Sequence, residues 1–340
     1  MKTATKASVG IDVSKDSLDA CIGLSFSNQQ HKFPTRATFP NTMTGFRKLL
    51  VWAAKQLPSK ETPLWFVMEA TGVYYENLAY FLTDNKRQAA VVLPTKMKHY
   101  AKTLETKSKT DQLDARAISQ FGLERPLSVW IPPSAQLRCL KELSREHEAL
   151  LLHATQVKNQ LHARRHSHEA GESTIARLVA QRDLYKQQLR TIVQEMHSIV
   201  EHDADLNARI TNITTANGLG FMTAVKVVAE TGGFALFRNQ KQLVSYAGYD
   251  IVLKQSGKRS GKPAISKKGN SHLRAAVYMP ALVAIRHNKR LKEVFLRLVR
   301  TKGNKMVAVI AVARKLLCLI FTLWRSKVPY DPNYLSAHTA

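Results

Sequence analysis

Acidic residues are almost absent from one long stretch of this chain. Between Lys254 and Lys305 there are fifteen Lys and Arg against a single acid, Glu293. Such one-sided charge adds nothing to a core, and it points to a polyanionic partner, nucleic acid above all. A solvated basic face that only aids solubility is the simpler alternative, but the excess extends to the whole chain at a formal +26. Cysteine is scarce too. Cys21, Cys139 and Cys318 are odd in number and far apart, which excludes a disulfide framework and a CxxC zinc site and fits a reducing, cytoplasmic setting. The opening MKTATKASVGID has no apolar h-region of a secretory signal. No GxxxxGK[ST] loop is present to bind a nucleotide. An uninterrupted membrane-length run is lacking as well: Met306 to Trp324 holds Arg314 and Lys315 near its centre, each costing about 2.5 to 3.5 kcal/mol on insertion. That segment reads as a buried helix, with no membrane partner.

What is present suits a globular protein. With 340 residues and 44% apolar content the chain can bury a real core, in two domains plus a connector. From Ala7 to Gly23 the pattern predicts a strand, a turn at Ser14 to Ser17 and a returning strand. Apolar positions Phe46, Leu49, Leu50 and Ala53 predict a helix over 41–56, ended by Pro58. Strands at Leu64 to Ala70 and Ala89 to Leu93 flank a helix from Tyr74 to Leu82, which argues for an α/β domain with a mixed sheet.

After Trp130-Ile131-Pro132-Pro133 the periodicity changes to heptads. Leu140, Leu143, His147, Leu150, Ala154, Val157 and Leu161 form one seam, and Leu178, Arg182, Tyr185, Leu189, Ile192, Met196 and Ile199 another. Two long helices with a break near Gly171 follow, paired either within one chain or between chains. His147 and Arg182 are register-setting polar positions or tolerated edge residues. From Ile210 the reading is short helices, with Asn217-Gly218-Leu219-Gly220 as a glycine turn of helix-hairpin-helix type that either holds a phosphate or simply caps a helix.

Four acids stand out. Asp12 interrupts the apolar run Val9-Gly10-Ile11-Asp12-Val13, where a charge costs free energy unless paired or bound to metal. Glu69 closes a strand at the edge where α/β sheets build their sites. Asp111 and Asp114, three apart, share a helical face. Such a set suits Mg²⁺-assisted phosphodiester chemistry. Singly, each has a plainer reading: Asp111 an N-cap, Glu69 a lysine partner, and Asp16 or Asp19 in place of Asp12. Jointly, the four follow the pattern of RNase H-like nucleases.

Gly10-Ile11-Asp12-Val13-Ser14-Lys15, Glu69-Ala70-Thr71-Gly72 and Lys109-Thr110-Asp111 with Asp114-Ala115-Arg116 resemble the three motifs of the DEDD insertion-sequence transposases with a RuvC-like N-terminal domain. This family includes bridge-RNA-guided recombinases and the pilin-gene DNA invertase. The resemblance continues through Tyr246-Ala247-Gly248, Ser256-Gly257, Ile265-Ser266-Lys267-Lys268-Gly269 and Leu273-Arg274. It implies an α/β RNase H-like (RuvC-like) domain over 1–130, a coiled-coil helical connector over 134–205, and a mainly α-helical basic domain over 206–340. It also implies Asp12, Glu69, Asp111 and Asp114 as Mg²⁺ ligands and Ser256 as a nucleophile, joined covalently to DNA. Lys254, Lys258 and Arg259 would supply charge around the reacting phosphate, with Lys262, Lys267, Lys268 and Arg274 as further nucleic-acid contacts. The implied protein is a homo-oligomer, dimer or tetramer, that acts on donor and target DNA in the bacterial or archaeal nucleoid, with a structured RNA guide. Two other readings remain: a metal-dependent junction nuclease that uses water, and a DNA-binding protein without catalysis.

Overall fold

The computed structural model describes residues 4–70, 72–104, 111–168, 171–235, 237–252, 255–256, 259–260 and 264–333, with the backbone alone at 95, 111–113, 255–256 and 259–260. The chain divides into two compact units, Met1–Pro132 and Pro133–Ala340.

The first unit is built on strands β1 (Ala4–Val13), β2 (Ser17–Phe26) and β3 (His31–Pro40), helix α1 (Met43–Lys55), strand β4 (Leu64–Glu69), helix α2 (Glu76–Asp84), strand β5 (Gln88–Val92), and helices α3 (Pro94–Ala101) and α4 (Asp111–Glu124). The five strands lie in the order β3-β2-β1-β4-β5. The first three are antiparallel neighbours, while β4 runs parallel to β1 and β5 parallel to β4. Because strand side chains alternate, Val9, Ile11, Val13, Leu18, Phe66 and Met68 make one face. They pack with Phe46 and Leu49 of α1 and Leu78 and Leu82 of α2. On the other face Val67, Ala90 and Val92 meet Met97 and Tyr100 of α3 and Ile118 of α4.

Strand β3 and helix α3 were not expected from the sequence. Residues 31–40 read HKFPTRATFP, with polar side chains at half the positions and Pro34 inside. Only an edge strand accepts that proline, and β3 is the edge. The helix over 41–56 is α1, with the Thr42 hydroxyl accepting from the Gly45 N–H to cap it.

The second unit is helical apart from short two-residue strands. It comprises α5 (Ala135–Arg165), α6 (Glu172–Glu201), α7 (Ala204–Thr214), α8 (Phe221–Glu230), α9 (Gln240–Tyr246), β6 (Ile251–Val252), β7 (Gln255–Ser256), β8 (Arg259–Ser260), β9 (Ala264–Ile265), α10 (Ser271–His287), α11 (Lys289–Lys302) and α12 (Lys305–Ser326). The two long helices fold back on each other within the chain. At their inner end Leu140, Leu143, Ile192, Met196 and Val200 join the core formed by α7 to α12. Of the polar seam residues, His147 lies 3.4 Å from Lys226 Nζ on α8, and Arg182 bonds its neighbour Asp183. Helix α12 is long and apolar enough to cross a membrane, with mean hydropathy 2.2. Its place in the core accounts for that, since Leu316, Leu317 and Ile320 are fully buried among the surrounding helices.

Candidate functional site

Helix α4 lies directly over β1. A Cβ on Gly10 would sit 2.1 Å from the Ser119 nitrogen and 2.3 Å from the Ala115 carbonyl oxygen, and one on Gly122 would sit 2.1 Å from Ser8 Oγ. The Ser119 hydroxyl donates to the Ser8 carbonyl at 2.8 Å. Moving back along α4 from Gly122 to Ser119 to Ala115 therefore moves forward along β1 from Ser8 to Gly10. A helical turn rises about 5.4 Å and two strand residues about 6.6 Å, so the first turn of α4, with Asp111 and Asp114, comes over the Asp12 end of β1.

Register places the other acids. Gly10 pairs with Val67 and Ile11 with Met68, so Asp12 and Glu69, one step on, are neighbours on adjacent parallel strands. Both belong to the face that carries Gly10 and Val67, the face α4 covers. Asp19 pairs with Asp12 across β1 and β2 and accepts a 2.6 Å hydrogen bond from Thr38. Asp16 is exposed in the β1–β2 turn. The fold thus brings Asp12, Glu69 and Asp114 to one face at one sheet edge, with Asp19 beside them, while the Asp111 side chain lies outside the described residues. Among the described residues no three carboxyl, imidazole or thiol groups form a metal-sized cluster. The donor set itself is all carboxylate oxygen, the chemistry a hard divalent cation prefers.

Ser256 belongs to the second unit, in β7. The excursion that carries it leaves α9 and returns to α10 through two antiparallel ladders, Ile251↔Ile265 with Val252↔Ala264, and Gln255↔Ser260 with Ser256↔Arg259. Residues 257 and 258 between β7 and β8, and the side chains of Ser256 and Arg259, lie outside the described residues, as do Lys254 and Lys262. At the base of the excursion the backbone is tied. The Ser266 N–H donates to Asp250 O at 2.7 Å, Lys267 N–H to Gly248 O at 3.0 Å, and Asn270 N–H to Tyr246 O at 2.8 Å. Gly248, with φ +73, sits against Lys267, Lys268 and Arg274 with no room for a side chain.

Arg274 clamps the same turn: its Nη1 donates to Ala247 O at 2.9 Å and to Gly269 O and Asn270 O at 3.3 Å. That nitrogen is committed, so any phosphate contact by Arg274 uses its remaining N–H groups. Charge-assisted hydrogen bonds of this kind contribute about 1.5 to 3 kcal/mol each. Arg274→Ala should therefore speed hydrogen exchange of the Ser266 and Lys267 amides by at least about tenfold; unchanged protection would show that the ladder holds without it. Lys267 and Lys268 are both exposed, the former with a left-handed backbone at φ +54. In the glycine turn, Gly218 at φ +100 packs on Ala284 of α10, and Asn217 Nδ2 donates to His287 O at 3.1 Å. These contacts give the turn a packing role.

A buried polar network runs beneath the tied base, and sequence reasoning missed it. Glu230, 6% exposed at the end of apolar helix α8, accepts from Arg145 Nε at 2.8 Å and Nη2 at 3.3 Å and from Asn270 Nδ2 at 2.8 Å. Burial pushes its carboxyl pKa up, but the hydrogen bonds from Arg145 and Asn270 and the charges of Arg145 and Lys141 outweigh that and hold it below the ordinary value. A lowered folded value means that this stability is present above the unfolded carboxyl pKa and is lost as pH falls through the folded one. The signal available in the sequence was a lone acid closing an otherwise apolar helix. Nearby, His272 Nδ1 lies 2.6 Å from Glu148, which also faces Lys226 at 3.8 Å.

Comparison with known proteins bears on both units. Residues 9–164 match a transposase family of the DEDD type found in IS110 elements, and residues 210–296 match the transposase family of IS116, IS110 and IS902. Pilin gene-inverting proteins of Moraxella bovis and Moraxella lacunata are each 29% identical over 332 residues, covering 96% of this chain and 98% of theirs. A transposase for insertion sequence element IS1111A from Coxiella burnetii is 22% identical over 266 residues, 71% of this chain and 72% of the relative. Asp12, Glu69, Asp111 and Asp114 fall inside the first matched region and Ser256 inside the second. The chain belongs to the DEDD transposases of IS110-type insertion sequences, enzymes of DNA recombination and transposition.

Proposed function

We propose that this transposase cuts and rejoins DNA with two sets of residues: a carboxylate tetrad of Asp12, Glu69, Asp111 and Asp114 that holds Mg²⁺, and Ser256 as the nucleophile. The observation that supports the reading is the register that sets Asp12 and Glu69 on one face of adjacent parallel strands, the face that α4, with Asp114 in its first turn, lies over. The strand order β3-β2-β1-β4-β5, with three antiparallel strands followed by two parallel ones, supports an RNase H-like (RuvC-like) domain over 1–130. Residues 134–205 are then the helical connector and 206–340 the basic transposase domain.

Mg²⁺ held by the tetrad would neutralise charge on the scissile phosphate and its attacking and leaving oxygens. The Ser256 hydroxyl loses its proton to a base as Oγ forms a bond to phosphorus, and the bond to the neighbouring nucleotide's oxygen breaks, that oxygen leaving as a hydroxyl. Rejoining is the reverse, with a hydroxyl of the new strand displacing Ser256 Oγ. The phosphodiester bond energy is conserved in the serine ester, which matches a chain with no nucleotide-binding loop. Arg259, Lys267 and Lys268, with Lys254, Lys258 and Lys262, supply positive charge for the phosphorane and the DNA backbone. A structured guide RNA fits the same basic surface, because positive charge binds phosphate whichever sugar carries it.

Exchange between two DNA sites calls for paired protomers, and the helical hairpin is the surface proposed for pairing. Ile192 is buried in the chain's own core, so its replacement would test folding. The outer hairpin presents Leu151, Leu152 and Leu184 at 43%, 67% and 51% exposure. Leu152→Glu with Leu184→Glu should give monomers in sedimentation that bind DNA and fail to recombine it. An unmodified protein that is monomeric on its nucleic-acid substrates would remove the basis for pairing.

A further inference from the structure

We infer that Glu230 is a positioning residue that couples the helical hairpin to the base of the Ser256 excursion. The inference rests on reading Ser256 as the nucleophile. One carboxylate joins elements far apart in sequence: Arg145 on α5 holds Oε1 and Oε2, and Asn270 at the start of α10 holds Oε2. Asn270 is engaged at every polar group. Its Nδ2 donates to Glu230 and lies 3.5 Å from the Tyr246 hydroxyl; its Oδ1 accepts from the Leu273 N–H at 3.1 Å. Its own N–H donates to Tyr246 O, and its carbonyl accepts from Arg274. Tyr246 and Asn270 are the two residues from which the excursion leaves and to which it returns, so the chain of bonds from Arg145 through Glu230 ends on both sides of its base.

Burial alone does not require a carboxylate here. The seven residues before Glu230 are mostly apolar, with Ala224, Val225, Val227, Val228 and Ala229 in the core, and an apolar residue at 230 would extend that face. Replacing a buried ion pair by apolar residues is often neutral or stabilising, and the best-attested use of such pairs is to fix register. A bidentate guanidinium fixes direction as well as distance. Arg145 reaches Glu230 from a half-exposed position on the hairpin, its side chain at 47% exposure against 3% for its partner. A shift of the hairpin on assembly would therefore pull on the base of the excursion through this pair, and a misplacement of about 1 Å at a reacting group costs on the order of 100-fold in rate.

The test uses the full chain, a plasmid carrying the DNA segment that encodes it with its flanks, and RNA transcribed from the same segment. Single-turnover formation of the covalent protein–DNA adduct is compared for the unmodified protein, Glu230→Gln, Arg145→Gln, the double variant and Ser256→Ala. Each variant is assayed equally far below its own melting temperature. The expected result is a loss of about tenfold for each single variant, no further loss in the double variant, and affinity for a plain DNA duplex within about twofold throughout. Adduct rates equal to the unmodified protein's, or losses that multiply in the double variant, overturn the coupling. So does a deficit that vanishes at matched distance from melting, since that is stability alone. If Glu230→Gln does not fold, Arg145→Gln, at the half-exposed end, decides by the same rate comparison. No adduct from Ser256→Ala with a normal rate from Glu230→Gln defeats this inference only; an adduct from Ser256→Ala defeats the nucleophile assignment and this inference with it.

Discussion

Asp12→Asn should leave the protein folded and bound to DNA while lowering strand cleavage in Mg²⁺ about 10³-fold or more. The substitution keeps the shape of the side chain at a half-buried position near the C-terminal end of the central strand, so the fold loses little. What it removes is a negative oxygen next to Glu69 and below the first turn of α4. Asp111→Asn should behave alike, since the resemblance gives it the same role and α4 begins at that residue. Raising Mg²⁺ should restore part of the activity of either variant, because weakened metal affinity is offset by concentration. A cleavage assay run beside a DNA-binding assay checks both halves. Full activity of both Asn variants in Mg²⁺ would remove the tetrad from the mechanism.

Ser256→Ala should retain DNA and any guide RNA yet form no covalent adduct, with recombination down by on the order of 10⁴-fold or more, as for loss of a nucleophile elsewhere. Ser260→Ala and Ser266→Ala should be milder. Ser260 stands opposite Gln255 in the β7–β8 ladder, and Ser266 serves the base of the excursion through its backbone N–H on Asp250. Adduct formation on denaturing gels separates this from a water-using nuclease: such an enzyme would leave cleaved DNA free of protein, and its Ser256→Ala variant would still cleave.

Where a feature follows from local chemistry, it could be read before the structure. The β1–β2 hairpin, α1, β4 and β5 announce themselves by apolar spacing, and Asp12 does so by interrupting an apolar strand. Strand β3 was not read, because Pro34 inside it argues against a strand until its place at the sheet edge is known. The seam of α5 and α6 was legible but its partner was not, since heptads look alike whether the second helix comes from the same chain or another. The placing of the first turn of α4 over the Asp12 end of β1 depends on Gly10 and Gly122 letting α4 settle against β1, a contact between residues about a hundred apart in sequence. Glu230 escaped notice for the same reason. A single acid at the end of an apolar helix resembles an ordinary solvated terminus until Arg145 and Asn270, from elements on either side of it in sequence, arrive at its two oxygens.

The central claim is that Ser256 carries the DNA between cutting and rejoining. It is tested most directly by trapping the cleavage intermediate of the unmodified protein, digesting the DNA to a nucleotide remnant and locating the modified residue by mass spectrometry. The account predicts a single phosphoserine-linked remnant at Ser256, formed only when Mg²⁺ is present. A remnant on another residue such as Tyr246, or efficient cleavage with no remnant at all, would contradict it.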